Sequence, residues 1–297
     1  MRKAFLQLHI AVFLAGFTGI LGKLITLNEA LLVWYRLLIT VITLWVLYLF
    51  QRKLHRTCPE RSRRGAGIAR IIAVGAIVAL HWVTFYASIK YANVSVALVC
   101  FSAVGFFTAI LEPLITRKPF NKNELLLGLL VIAGIYLIFH FDPHFKTGII
   151  FGIISALLAS LFPVFNRLLV QEHKPETVTL YQLSGGFLFL TLLLPFYLYF
   201  VPADHILPTI TDAGWLLVLS WFCTVWAFNL SMNALKKISA FTVNLTYNLE
   251  PLYGIALAFI IYREDKLLSG SFYIGLLLIV LSVFLQTWLV YRGRKKS

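Results

Sequence analysis

A carboxylate stands where a chain can least tolerate one. Glu250 ends the stretch "NLTYNLE" before Pro251, and the flanks "ISAFTV" and "LYGIALAFIIY" are almost wholly apolar. A charge facing lipid at mid-span costs about 3 kcal/mol by insertion scales, so Glu250 must look into a cavity or at a partner. On a helical wheel Asn244, Tyr247, Asn248, Glu250, Pro251 and Gly254 share one side, while Leu245, Leu249, Leu252 and Ala256 gather opposite. Pro251 lacks an N–H and frees the carbonyl of Tyr247, expected to kink the helix. An acceptor beside a carboxylate takes a cation, a water or a solute donor where it lines a cavity; a packed kink satisfied by a neighbouring helix is the alternative.

Other groups recur at helical spacing. Trp226, Asn229 and Asn233 are three and four residues apart and share a face. Trp82 and Tyr86 are also four apart, with His81 beside them. Aromatic and amide groups together suit a site that stacks an organic solute and hydrogen-bonds its polar end, although asparagines also join helices without any cargo. Arg36 stands inside the second apolar run, where a guanidinium holds a carboxylate or phosphate through two N–H groups or neutralises a glutamate. His81 is the mid-span group that titrates near neutrality when unperturbed, and reads as a hydrogen-bonded structural histidine. Glu250 is the better proton carrier, because a dry occluded state favours the neutral acid and a wet open state releases the proton. Lys23, Lys90, Arg167 and Glu112 fall near span ends and are expected at headgroup level. Ser95, Ser102 and Thr242 read as helix-packing residues.

The elements that position these groups are membrane spans. The 297 residues are 60% hydrophobic and 13% charged, with mean hydropathy +0.86, against roughly 25% charged in soluble domains. Apolar runs of about 20 residues cross a bilayer, and ten are expected, at 4–25, 30–51, 69–90, 93–116, 124–141, 148–170, 178–201, 213–234, 240–261 and 269–291. The fold class is therefore an all-α integral membrane protein. A net charge of +14 does not indicate nucleic acid, since the basic residues crowd into "QRKLHRTCPERSRRGAGIAR" and the closing "YRGRKKS". Such crowding marks cytoplasmic segments, which puts both termini in the cytoplasm of a multi-pass cell-membrane protein; the first of these segments can also touch anionic lipid. Cys58, Cys100 and Cys223 show neither disulfide nor zinc spacing, and no metal is expected. The first apolar run reads as an uncleaved helix.

The chain also repeats itself. Sliding it by 147 positions lays "YASIKYANVSVALV" on "NALKKISAFTVNLT", pairing Lys90 with Lys237, Asn229 with Trp82 and Asn233 with Tyr86. It lays "GLLVI" on "GLLLI", and at nearly that shift Tyr35 meets Tyr181. Five spans per half is an odd number, so the halves lie in opposite orientations, the inverted-repeat plan of secondary transporters. The expected division is 1–141 for the first five-helix repeat, 148–291 for the second and 292–297 for a basic cytoplasmic tail.

The residues carry a resemblance. "FTGILGK", "WYR", "YANVSVALV" and "NLEPLYGIALAFIIYRED" followed by "GLLLIVLSV" together resemble the EamA type of the drug/metabolite transporter superfamily over nearly the whole chain. Glu250–Pro251 with Glu264 looks like the family's "EP…GE" signature, with Arg263 in place of the usual Gly. In the first half the paired positions are Val104 and Arg117, so a symmetric carboxylate pair is not expected. The resemblance implies a secondary transporter, expected to export small organic metabolites such as amino acids or drug-like solutes by alternating access, with Glu250 as proton carrier. No G-x-x-x-x-G-K-[ST] occurs, so neither an ATPase subunit nor a cofactor is implied. Membrane lipid and a small-molecule solute are the expected partners, with a homodimer open. An enzyme would need a nucleophile–base pair or metal ligands within the spans, and neither is apparent; a non-transporting scaffold is the remaining alternative.

Overall fold

The structure is a computed structural model and describes residues 2–55, 65–141, 145–238, 240–247 and 249–294. The centre of the basic loop with Cys58, the end of the tail and Asn248 lie outside the described residues, as does the side chain of Asn244. Among the described residues the regular structure is helical. The elements are α1 (Arg2–Leu24), α2 (Glu29–His55), α3 (Gly65–Tyr91), α4 (Val94–Phe101), α5 (Val104–Thr116), α6 (Lys122–Phe141) and α7 (Lys146–Glu172). They continue with α8 (Pro175–Phe200), α9 (Ile210–Ser220), a π-helical turn (Trp221–Trp226), α10 (Ala227–Leu235), α11 (Ala240–Tyr247), α12 (Glu250–Tyr262) and α13 (Gly270–Arg294).

Seven segments are long and apolar enough to cross a bilayer, among them Val94–Thr116, which joins α4 to α5, and Ile210–Leu235, which joins α9 to α10. α6, the α11–α12 pair and α13 complete ten spans among the described residues. The bundle's outer surface carries large apolar side chains such as Leu192, Phe196, Ile210 and Ile260, each more than half exposed. That is the surface of a multi-pass membrane protein. The end of the bundle where α1 finishes and α2 begins is called the near end below, and the opposite end the far end.

The two halves share a register. α5 and α12 have 13 residues each, and α12 begins 146 residues after its counterpart, Val104 to Glu250. The inverted repeat is thus real, but its spacing here is 146 and not 147. Glu250 corresponds to Val104, and Pro251 to Gly105. Both spans break at the same level, after Phe101 and after Tyr247. Pro251 sits in the first turn of α12, where its fixed φ and missing N–H suit a helix start. The first half breaks without a proline; there Ser102 N–H returns to the Leu98 and Val99 carbonyls and Ala103 N–H to that of Cys100. The break therefore recurs in both halves, and in the second Pro251 stands in the first turn after it.

Small residues let the spans approach closely. A Cβ on Gly134 of α6 would lie 2.7 Å from the carbonyl oxygen of Gly275 in α13, and one on Gly275 would lie 2.5 Å from the Gly134 carbonyl. Gly254 of α12 meets Leu98 and the Gly16 carbonyl of α1, which brings the turn carrying Glu250 against the first span. α3 packs against α7 and α8, with Gly75 under the Gln182 carbonyl.

Candidate functional site

A cavity of about 90 Å³ occupies the middle of the bundle. Both halves build it. The first supplies Thr18, Arg36, His81, Trp82, Phe85, Phe101 and Val104, and the second supplies residues of α7, the π-turn, α10, α11 and α12. It runs from Arg36, in the near half of α2, to Leu235, the last residue of α10 at the far end. An arginine and a glutamate share its wall, Arg36 at 2% exposure and Glu250 at 5%. No ion pair joins them.

Arg36 is held by both halves. Its Nε donates to Thr224 Oγ1 at 2.7 Å, Nη1 to the Tyr86 hydroxyl at 2.9 Å, and Nη2 to the Cys223 carbonyl at 3.4 Å. The guanidinium carbon lies 3.8 Å from the centre of the Trp82 ring, a cation–π contact in a desolvated place. The π-turn makes this possible. It inserts an extra residue per turn, and Ala227 N–H returns to the Phe222 carbonyl, so the Cys223 carbonyl and the Thr224 side chain turn toward α2. Thr224 satisfies its own proton on the Leu219 carbonyl and Ser220 bonds the Arg36 carbonyl. Gly22 makes room for Tyr86, since a Cβ there would lie 2.1 Å from the ring.

Around Glu250 the wall is differently furnished. Among the described residues no donor reaches its carboxylate. Tyr247, one turn earlier, bonds Ser231 of α10, and all three line the cavity. Asn166 of α7 also lines it, 1% exposed, with Oδ1 lacking any partner. His81 is tied by Nδ1 to the Ser155 carbonyl at 3.1 Å and to its hydroxyl at 2.8 Å, and its ring stacks on Phe101.

The structure brings Arg36, His81, Trp82, Tyr247 and Glu250 to one cavity and places Tyr86 directly behind Arg36. It does not bring the asparagines of α10 there. Trp226 is 48% exposed on the outside. Asn233 spends its Nδ2 on the backbone carbonyl of Asn229, and Asn229 Oδ1 is buried without a partner. The cavity side of α10, with Met232 and Leu235 beyond, is instead Ala227, Phe228 and Ser231. The reason is the register. At 146 residues these three answer to His81, Trp82 and Phe85, all cavity residues, whereas an error of one residue rotates a helix by about 100°. Asn166, Thr18, Ser231 and Thr224 were not singled out from sequence. A signal was present only for Asn166, an amide within the apolar run "LFPVFNRLLV".

Polar contacts join the halves at the near end. Glu264, fully buried, accepts Lys23 Nζ at 2.7 Å and Val94 N–H at 3.2 Å on Oε1, and Ser95 N–H at 2.8 Å and Ser95 Oγ at 2.7 Å on Oε2. It thereby caps the start of α4, where a carboxylate meets unpaired N–H groups and the positive end of the helix dipole. Burial pushes the Glu264 carboxyl up, but the hydrogen bonds from Lys23 and Ser95 outweigh it and hold it below the ordinary carboxylate range. Asp212 accepts the N–H and hydroxyl of Thr26, each at 2.8 Å, and that hydroxyl meets His205 Nε2 at 3.1 Å. Tyr197 donates to Glu29. Lys90 and Arg167 are drawn into the protein, Lys90 bonding the Ile25 carbonyl at 3.1 Å and Arg167 the Leu235 carbonyl, whereas Lys23 pairs with Glu264 and keeps its side chain 35% exposed. Ser95 is a capping partner, not mere packing.

Comparison with known proteins agrees with this architecture. A Bacillus subtilis (strain 168) protein named uncharacterized transporter YetK is 26% identical over 171 residues, covering 55% of this chain and 51% of that protein. An uncharacterized transporter of Haemophilus influenzae (strain ATCC 51907 / DSM 11121 / KW20 / Rd) is 24% identical over 168 residues, covering 54% of this chain and 53% of that one. The chain thus spans about half the length of the curated relatives it matches. A protein known from a crystal structure superposes with a TM-score of 0.69 at 15% identity, over 98% of this chain and 99% of its own; that shows a shared fold. The EamA-like transporter domain matches residues 2–140 and again 146–288, and with both halves so matched the chain belongs to the EamA-like transporter family.

Proposed function

We propose that the protein is a secondary transporter that moves a small organic solute across the cell membrane by alternating access, as an exporter coupled to protons through Glu250. The observation that carries the reading is the cavity at the junction of two inverted halves, with Arg36 and Glu250 on its wall and no ion pair between them. Burying an arginine and a carboxylic acid at mid-span costs several kcal/mol, and their presence on one cavity wall supports a use for both. Polar contacts between the halves at the near end and a cavity reaching Leu235 at the far end support one of two alternating states. With basic segments held in the cytoplasm, the near end faces outward and both termini face inward. Glu250 carries the proton in this reading; the other ionisable groups at the cavity wall are Arg36, His81, Tyr247 and Cys223.

The test is counterflow by purified protein in liposomes, with and without an imposed pH gradient. Solute movement that responds to the gradient, and that loses this response in Glu250→Gln, supports the reading. No movement of any solute that stabilises the protein, or an unchanged response in Glu250→Gln, overturns it.

A further inference from the structure

A second cavity, of about 260 Å³, lies at the near end, apart from the central one. Both halves build it, the first through the α1–α2 turn and the end of α3, the second through the α8–α9 loop from Val201 to His205. Its polar groups are fixed on one side and open on the other. Asn28 caps α2 by accepting the Leu31 N–H at 2.9 Å on Oδ1, while its Nδ2 is buried without an acceptor. Glu29, 3% exposed, takes the Tyr197 hydroxyl on Oε1, and its Oε2 has no donor among the described residues. Lys90 Nζ spends one hydrogen on the Ile25 carbonyl and forms no ion pair among the described residues, so two N–H bonds remain. The loop is tied to the turn across the halves. Thr26 Oγ1 gives its hydrogen to Asp212 Oδ2, and His205 Nε2 is therefore the donor in its contact with the same hydroxyl.

We propose that this cavity is a second binding site, for a neutral polyhydroxylated molecule of monosaccharide size. The wall calls for acceptors at Asn28 Nδ2 and Lys90 Nζ, and for donors at Glu29 Oε2 and the Asp204 carboxylate. A hydroxyl both donates and accepts, so neighbouring hydroxyls on one carbon frame meet both needs side by side. Tyr91, 46% exposed and stacked on Phe151, adds an aromatic ring to the wall, a surface that suits the C–H face of a sugar ring. Ions fit less well. An anion meets Glu29 and Asp204, a cation meets Lys90, and no three metal-ligating side chains gather among the described residues. A short zwitterion answers Lys90 and Glu29 but lacks the further hydroxyls for Asn28 and Asp204. Because the wall comes from both halves, the ligand bridges them and favours the arrangement in which the near end is joined.

The test is calorimetric titration of full-length protein in detergent with glucose, galactose, mannitol and myo-inositol, and with serine and gluconate as charged comparisons. Millimolar concentrations keep the general stabilising effect of excluded polyols small. At least one polyol should bind saturably and at least tenfold more tightly than serine or gluconate. Asn28→Ser keeps a capping oxygen and removes the amide; this variant, Glu29→Gln and Lys90→Met should each weaken binding at least fivefold. Bound polyol should also slow amide hydrogen exchange in the α8–α9 loop severalfold, a readout that binding in the central cavity would not give. Should one variant fail to fold, the other two and the exchange of the wild-type loop decide. Saturable binding of serine or gluconate without preference for a polyol, polyol binding unchanged by the substitutions, or no saturable binding of any probe overturns the proposal.

Discussion

Arg117 and Arg263 share one left-handed backbone conformation, φ 55° and φ 53°, each just past the end of a 13-residue helix and 146 positions apart. No other described non-glycine residue has positive φ. A left-handed conformation costs a side-chain-bearing residue about 1–2 kcal/mol, and glycine gives back roughly 0.5–1 kcal/mol of that through the entropy of its unfolded chain. Arg263 is exposed, so little packing is lost on its removal. Arg263→Gly is therefore expected to stabilise by about 0.5–1 kcal/mol, seen as a higher unfolding temperature in detergent. A lower one would mean that the side chain makes a contact outweighing the strain.

Gly22 and Tyr86 give a second expectation. Gly22→Ala sets a methyl 2.1 Å from a fully buried ring that also accepts a hydrogen bond from Arg36. Overpacking of this kind costs about 1–3 kcal/mol, and here it moves the guanidinium's partner as well. The variant should lose solute-induced stabilisation by more than it loses intrinsic stability. An unaltered response to solute would show that Tyr86 does not position Arg36.

Glu264→Gln addresses the near end. The Glu264 carboxyl titrates below its ordinary value of 4.5, so its contribution to stability is complete above about that pH and is lost as pH falls through the lowered value. The stability gap between wild type and Glu264→Gln should be constant from neutral pH down to about 5 and close only in more acid solution. A gap that closes near neutrality would contradict the bonds drawn to Lys23 and Ser95.

Asn229 and Asn166 can be set against each other. Asn229 Oδ1 is buried, unpartnered and off the cavity, and replacing such a group by an apolar one of similar size is close to neutral or stabilising. Asn229→Leu should leave counterflow within about twofold of wild type and not lower the unfolding temperature, whereas Asn166→Ala should reduce counterflow at least tenfold. The opposite pattern would restore the sequence-based choice of site residues on α10.

The spans and the inverted repeat were readable because apolar length and basic loops are strong, repeated signals. Glu250 was readable because a carboxylate at mid-span has few tolerable environments. The repeat's register was not, since matches among apolar residues discriminate poorly, and one position of slippage moved attention from Phe228 and Ser231 to Asn229 and Asn233. Arg263 looked like a lapse from a family signature, yet it keeps the backbone conformation that the usual glycine favours. The π-turn left no mark in "WFCTVW" that separates it from ordinary helix, so the hold of Thr224 and the Cys223 carbonyl on Arg36 was invisible before the geometry was known.

The matching interruptions after Phe101 and Tyr247 give the fourth and ninth crossings the character of jointed rods. In each a 13-residue helix follows the interruption, which lies level with the cavity wall at Val104 and Glu250. Rocking can then be absorbed by two elbows instead of by sliding whole helices past their neighbours. Because Glu250 is the first residue beyond one elbow, flexing there swings the carboxylate itself, and in the proposed transport cycle the moving part and the proton-carrying part are the same few atoms.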